Sequence, residues 1–216
     1  MSRVSSGDQQ IQGKTARRSS AQTREHVLDV AHQLFYWQGI RATGVDRVAA
    51  EAAVAPTTLY RLFASKDDLV AAYVRRADRL YRQWFDTAAA AAGDSPRDQI
   101  LAVFDAPPSR CQQVQPEQCR GCPFLMALTE YPSATHPAHQ HAAATKGWVR
   151  RRFGDLCAQL AQTAPIGDPG ELADHLALVM EGVYASVQAL GDTGPAQRAR
   201  SLIERLLSPP PPAPAP

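Results

Sequence analysis

Residues 23–69 read TREHVLDVAHQLFYWQGIRATGVDRVAAEAAVAPTTLYRLFASKDDL, and the spacing of their apolar, glycine, threonine and proline positions decides the fold. Val27, Val30, Ala31, Leu34 and Phe35 fall at i, i+3, i+4, i+7 and i+8, one buried face of an amphipathic helix. Gly39 closes that helix, because glycine adopts without strain the backbone geometry of a helix end. Thr43 is placed to cap a second, short helix whose stripe is Val45, Val48, Ala49 and Ala52. Ala53-Val54-Ala55 is the turn, and Pro56 opens a third helix, where a missing N–H is tolerated. Leu59 and Phe63, at i and i+4, face the core and leave Thr57, Thr58 and Arg61 outward with Tyr60 at the edge. Such a pair of short helices reads as a helix-turn-helix whose second member enters a DNA groove.

The segment resembles the DNA-binding head of the tetracycline-repressor (TetR) family. That pattern runs A-x-x-L-F-x-x-x-G, then T-x-x-x-I-A-x-x-A-G-V-S-x-x-T-L-Y-x-x-F-x-S-K-x-x-L. It is matched by Ala31, Leu34-Phe35, Gly39, Thr43, Val48-Ala49, Ala52 to Ala55, Thr58-Leu59-Tyr60, Phe63, Ser65-Lys66 and Leu69. Two positions depart from it: Ala53 stands for the turn glycine and Ala55 for the capping serine. An alanine forced to positive φ costs about 1–2 kcal/mol and a lost cap about 1 kcal/mol, neither enough to undo a head braced by its core. The resemblance implies an all-α fold, a helix-turn-helix head on a larger helical body that binds an effector and dimerises. It also implies a repressor released from a palindromic operator. On DNA, Thr43, Tyr60 and Lys66 would hold phosphates, while Thr57, Thr58 and Arg61, following Pro56, would approach bases.

Composition and charge agree with a nucleic-acid partner. The net charge of +2 conceals an asymmetry: residues 1–85 hold 13 Lys and Arg against 8 Asp and Glu, the remainder 10 against 13. The 216 residues, 44% hydrophobic, suffice for a head and a body. No apolar run reaches the length of a membrane span and residues 1–21 carry no secretory core, so a cytoplasmic protein without a membrane partner is expected. Residues 1–21 read as a flexible basic arm, 22–66 as the head, 67–207 as the body and 208–216 as a Pro-rich tail.

The body reads as helices set between Gly and Pro breaks. A long helix over residues 67–92 carries Leu69, Tyr73, Ala77, Leu80 and Trp84 on a shared face; Ser95-Pro96-Arg97-Asp98 opens the next, and residues 107–116 form a loop. Further helices are expected from Pro123 to Tyr131, from Pro137 to about Thr163, from Asp168 onward and from Pro195. Leu176, Val179, Val183, Val187, Leu202, Ile203 and Leu206 form the apolar stripes on which a homodimer would be built. Trp84, Phe104, Phe124, Met126, Tyr131, Trp148, Met180 and Tyr184 are candidate walls of a small-molecule pocket, with Glu181, Gln188 and His175 as polar anchors. Gly121 to Leu125, Glu130-Tyr131-Pro132 and Trp148-Val149-Arg150 resemble the C-terminal part of the LmrA/YxaF-like drug-responsive subgroup, which implies an aromatic or lipophilic effector.

Cys111, Cys119 and Cys122 are followed by His136, His139 and His141, a set that allows three readings: inert thiols and histidines, a thiol switch, or a zinc site built on Cys119, Cys122, His136 and His139. Cys157 falls in a helical stretch as a core residue. No cofactor is implied. The chain has no G-x-S-x-G, phosphate-cradling glycine loop or H-E-x-x-H, so nothing marks an enzyme.

Overall fold

The computed structural model describes residues 18–106, 119–191 and 194–208, and the regular elements among them are all helical. Helix α1 (Ser20–Gln38) starts at a reciprocal capping box: the Ser19 hydroxyl accepts the Gln22 N–H at 3.2 Å while the Gln22 side chain accepts the Ser19 N–H at 2.8 Å. The helix therefore claims residues 20 and 21 from the expected arm, whose residues 1–17 lie outside the described part. It ends at Gly39, φ +95°, whose N–H donates to the Phe35 carbonyl at 3.1 Å.

Helices α2 (Val45–Glu51) and α3 (Pro56–Leu62) complete the head. The cap of α2 is Gly44, which corrects the expectation for Thr43. The Thr43 hydroxyl points back and donates to the Gly39 carbonyl at 2.8 Å, closing the turn from within. Ala53 sits at φ +52°, the strained position that its departure from glycine implies, and Ala55 precedes α3 without a side-chain cap. Val27, Leu28, Ala31, Phe35, Val48, Ala49, Leu59 and Phe63 form the head's core, each apolar side chain of Val or larger size contributing about 1.5–3 kcal/mol by burial. Arg24 covers the ring of Phe63 at 4.7 Å.

Helix α4 (Lys66–Ala90) belongs to both halves. Ser65 caps it, accepting the Asp68 N–H at 3.1 Å, and Asp67 and Asp68 complement the positive end of its dipole. Its first turns bury Leu69, Val70, Tyr73 and Val74 against the head, with Tyr73 edge-on to Phe35 at 5.4 Å. Arg76 ties it to Glu25 and Asp29 of α1. Its far end buries Phe85, Ala88 and Ala89 in the body. Between Val74 and Phe85 no α4 side chain is fully buried, and Leu80, expected on the buried stripe, stands 49% exposed. The helix crosses from head to body there, and Ala77, Tyr81 and Trp84 are only partly covered while Leu80 points away from the core.

The body consists of α5 (Pro96–Asp105), α6 (Pro123–Glu130), α7 (Pro137–Leu160), α8 (Pro169–Leu190) and α9 (Ala199–Leu206). A proline occupies the first position of each of the first four, and Ser95, His136 and Asp168 cap α5, α7 and α8 by accepting backbone N–H bonds. Pro195 opens a short 3-10 turn, so the last α-helix begins four residues later than expected, at Ala199. The expected loop at residues 107–116 lies outside the described part. Helix α7 is the central member, touching α4, α5, α6 and α8. Phe153 stacks on Phe104 at 5.5 Å and meets Phe85 edge-on at 5.2 Å, while Phe85 meets Trp148 edge-on at 5.3 Å. Among the described residues no helix is long and apolar enough to cross a membrane.

Candidate nucleic-acid interface

The outward face of α3 is built by what its inward face is denied. Leu59 and Phe63 are each 1% exposed, which fixes the rotation of this two-turn helix and turns Pro56, Thr57, Tyr60 and Arg61 into solvent, with Thr58 half-buried at the margin. Tyr60 is 52% exposed, an aromatic held out by position rather than left out of the core. Arg61 has no ion pair among the described residues, so its guanidinium fork is available for a base edge or a phosphate. Lys66, in the first turn of α4, donates to the Arg41 carbonyl at 2.9 Å. Thr43, by contrast, is 1% exposed with its hydroxyl committed to Gly39, so that hydroxyl does not reach a phosphate.

The residues chosen for a small-molecule pocket fall into three places. Trp84 and Phe124 join Tyr81, which lies 5.1 Å from the former and 5.7 Å from the latter. Beside them the Lys146 ammonium donates to both Glu181 oxygens at 2.6 and 2.8 Å, stands 3.2 Å from the Cys122 sulfur and lies 5.8 Å from the Tyr184 ring. Tyr81 and Tyr184 are hydrogen-bonded to each other, and burial holds both phenols above their ordinary range. The Trp84 indole N–H is buried without an acceptor among the described residues. Phe104 and Trp148 belong instead to the Phe153 stack, and Met180 is core. Tyr131 lies apart, stacked on His136 at 4.1 Å beneath Arg41 of the head; Met126 is half-buried on α6. A groove of about 390 Å³ opens between α7 and the start of α8, lined by Trp148, Arg150, Arg151, Arg152, Gly154 and Gly170 among others; of the pocket candidates it includes Trp148 alone. His175 and Gln188 stand exposed on α8.

Much of the expected dimerisation stripe packs inside the subunit. Leu176, Val183 and Val187 are buried within the subunit, as is Ile203 of α9, because α7 and α9 cover that side. Val179 and Leu206 are half-buried and Leu202 is 37% exposed. The apolar side chains that do face out are Leu178, 68% exposed, and Leu190, 53% exposed. On the face of Leu178, Gly182, Ala185 and Ala189 keep the helix surface small. Leu190 continues the apolar stripe past the part that its neighbours cover, whereas Leu178 lies outside that stripe, on a face expected to be polar.

The cysteine and histidine set does not converge. Cys119 is disulfide-bonded and so is no thiolate ligand, and Cys122 lies against Lys146. His136 caps α7 through Nδ1, His139 contacts the Tyr131 carbonyl at 2.8 Å, and His141 meets Arg75 at 3.3 Å. Among the described residues no group of three or more candidate ligands comes together, which corrects the zinc set on Cys119, Cys122, His136 and His139; Cys111 lies outside them. Cys157 is a buried free thiol whose pKa burial raises to about 11.

A three-helix head whose third helix turns Thr57, Tyr60 and Arg61 to solvent, joined by α4 to an all-helical body, is the architecture of a helix-turn-helix transcriptional regulator. Residues 27–73 match the model of bacterial regulatory proteins of the tetR family, and residues 96–203 that of a tetracyclin repressor-like C-terminal domain. The chain belongs to the TetR family. It is 27% identical over 184 residues to the HTH-type transcriptional regulator YjdC of Escherichia coli, covering 85% of this chain and 93% of that one. It is also 27% identical over 192 residues to the HTH-type transcriptional regulator BetI of Burkholderia thailandensis, with 86% and 94% covered. Among solved structures, a TetR-family transcriptional regulator from Streptomyces coelicolor superposes with a TM-score of 0.75 at 33% identity, covering 86% of this chain and 94% of that one. These relatives are regulators, not enzymes.

Proposed function

We propose that two copies of this chain pair through α8 and α9, read a two-fold-related operator with their α3 helices and repress transcription in the cytoplasm until a lipophilic or aromatic molecule binds the body. The observation that carries the reading is the outward set Pro56, Thr57, Tyr60 and Arg61, held by fully buried Leu59 and Phe63. In this reading residues 22–66 form the reading head and 67–207 the sensing and pairing body. A single head of this size covers only a few base pairs, so useful affinity requires two. Leu178 and Leu202, with Gly182, Ala185 and Ala189 on the face of the former, are suited to the close approach of a second copy. Arg61 and the two threonines address bases, while Tyr60 and Lys66 address phosphates.

For the effector, the aromatic group around Tyr81, Trp84, Phe124 and Tyr184 is favoured because the buried Trp84 N–H lacks an acceptor there, and a ligand oxygen would supply one. The resemblance of Gly121 to Leu125 and Trp148-Val149-Arg150 to the LmrA/YxaF-like subgroup supports the same ligand class. A ligand that favours the DNA-incompetent head spacing weakens operator binding by its difference in affinity for the two states and no more. The test is transcription in vitro from a promoter carrying the selected site. Added protein should reduce the transcript and a compound from an aromatic, lipophilic panel should restore it. A rise in transcript on adding protein would overturn repression, and restoration by oxidant or chelator alone would overturn the organic effector.

A further inference from the structure

Glu130 is the last residue of α6, and its carboxylate leaves the body to bond the head. One oxygen accepts the Ile40 N–H at 2.9 Å and the other the Arg41 N–H at 2.6 Å. A carbon added at Gly39 would stand 3.6 Å from the same carboxylate, so the acid lies flat against the turn joining α1 to α2. The turn is held from its other sides as well, by Thr43 on the Gly39 carbonyl and by Lys66 on the Arg41 carbonyl. At the opposite end of α6 the Tyr36 hydroxyl donates to the Gly121 carbonyl at 3.0 Å and accepts the Arg120 N–H at 2.9 Å, while the Arg120 guanidinium donates to the Tyr36 carbonyl at 3.1 Å.

The head is therefore attached to the body twice. The covalent path runs through α3 into α4, a single rod whose middle is seated on the body by Tyr81 against Phe124 and by Asp78, which accepts the Thr145 hydroxyl at 2.8 Å. A head joined only through that rod could pivot about it. The second attachment, through residues 120–130, lies at the far end of α1 and removes that freedom. Bonds from a carboxylate to backbone N–H groups are roughly twice as strong as neutral ones, and two from one acid fix orientation as well as distance.

We propose that Glu130 is a positioning residue for DNA reading: by clamping the Ile40 and Arg41 amides it sets the angle of the head on the body, and so the distance between the two recognition helices of a dimer. It touches no base itself; it decides which half-site spacing the pair accepts. The inference rests on the dimeric reading proposed above.

The experiment is a set of duplexes carrying the two half-sites selected by the wild-type protein, at the selected separation and at separations changed by one and by two base pairs. Affinities are measured for the full-length wild-type, E130A and E130Q chains, with thermal unfolding as a check on folding. The wild-type chain should prefer one separation. In E130A the ratio of affinities between that separation and its neighbours should fall about tenfold, the loss of two charge-assisted bonds, and E130Q, which keeps one acceptor, should fall between. Removal of a negative charge raises affinity for every duplex alike and cancels in the ratio. An unchanged ratio in both variants, or a uniform loss at all separations, would overturn the assignment. A wild-type chain without any preferred separation would instead remove the dimeric reading, and this assignment with it.

Discussion

The head and the body are stabilised by opposite means. In the body, helices of up to 24 residues begin at proline and, in α5, α7 and α8, are capped by a side chain, and Phe85, Phe104, Trp148 and Phe153 interlock at their centre. In the head, α2 and α3 have seven residues each, neither has a side-chain cap, and the turn between them places an alanine at φ +52°. Helices this short do not persist alone, so α3 is held by Leu59, Phe63 and the α1 and α2 faces beneath it. The reading element is the least self-sufficient part of the molecule, and its outward residues are spared from structural duty. Rigidity is supplied from the body side, through α4 and the Glu130 clamp.

The largest test of this contrast is one substitution made in both halves. Phe63→Ala and Phe153→Ala remove equally buried rings, and such changes cost about 3–5 kcal/mol in a core. The Phe153 variant should unfold as a whole at lower temperature. The Phe63 variant should lose DNA binding and fast amide protection in α3 while the body's transition moves less; equal shifts of one transition would break the contrast. Next, Leu178→Arg should leave the melting of each subunit nearly unchanged but yield monomers by light scattering, and lower operator affinity about a hundredfold through loss of the second head. A dimer that persisted would move the pairing face elsewhere.

Relief of head strain is a smaller effect. Ala53→Gly should stabilise the protein by about 1 kcal/mol in chemical denaturation, the positive-φ penalty less glycine's added chain entropy; destabilisation would mean that the turn tolerates its alanine. The smallest effect is a pH dependence confined to the α1 and α4 contact. His32 stacks near Tyr36 and Tyr73, and its pKa is lowered from 6.5 first by burial and then by Arg76. A base whose folded pKa lies below its unfolded value favours folding above the unfolded value and loses that contribution as pH falls toward the folded one. Stability should thus decline as the solution is acidified below about pH 6.5, and His32→Gln should flatten that part of the profile.

Much of this architecture is legible in the sequence, and the physical reason is locality. The head's helices follow from i, i+3, i+4 stripes and Gly39, and the body's helix starts from Ser95, Asp168 and the prolines at 96, 123, 137 and 169, signals contained within a few residues. What was misread depends on contacts across the chain. On α8 periodicity cannot tell how much of the apolar stripe α7 and α9 cover, with Leu176, Val183 and Val187, nor that Leu178 is left exposed on another face. The role of Thr43 turned on whether its hydroxyl faced forward to α2 or back to Gly39. The pocket candidates were chosen for side-chain type, and packing distributes them among separate clusters. Glu130 stood out only within the Glu130-Tyr131-Pro132 motif, and its bonds to the head were illegible because its partners are 89 and 90 residues away.

The most direct measurement is selection of random duplexes by the purified full-length protein at near-physiological salt, where non-specific binding is weak, followed by sequencing of what is retained. A two-fold-related sequence with one dominant separation between its halves is the predicted result. Enrichment of a single unpaired half-site, or no enrichment, would contradict a dimer reading DNA through α3.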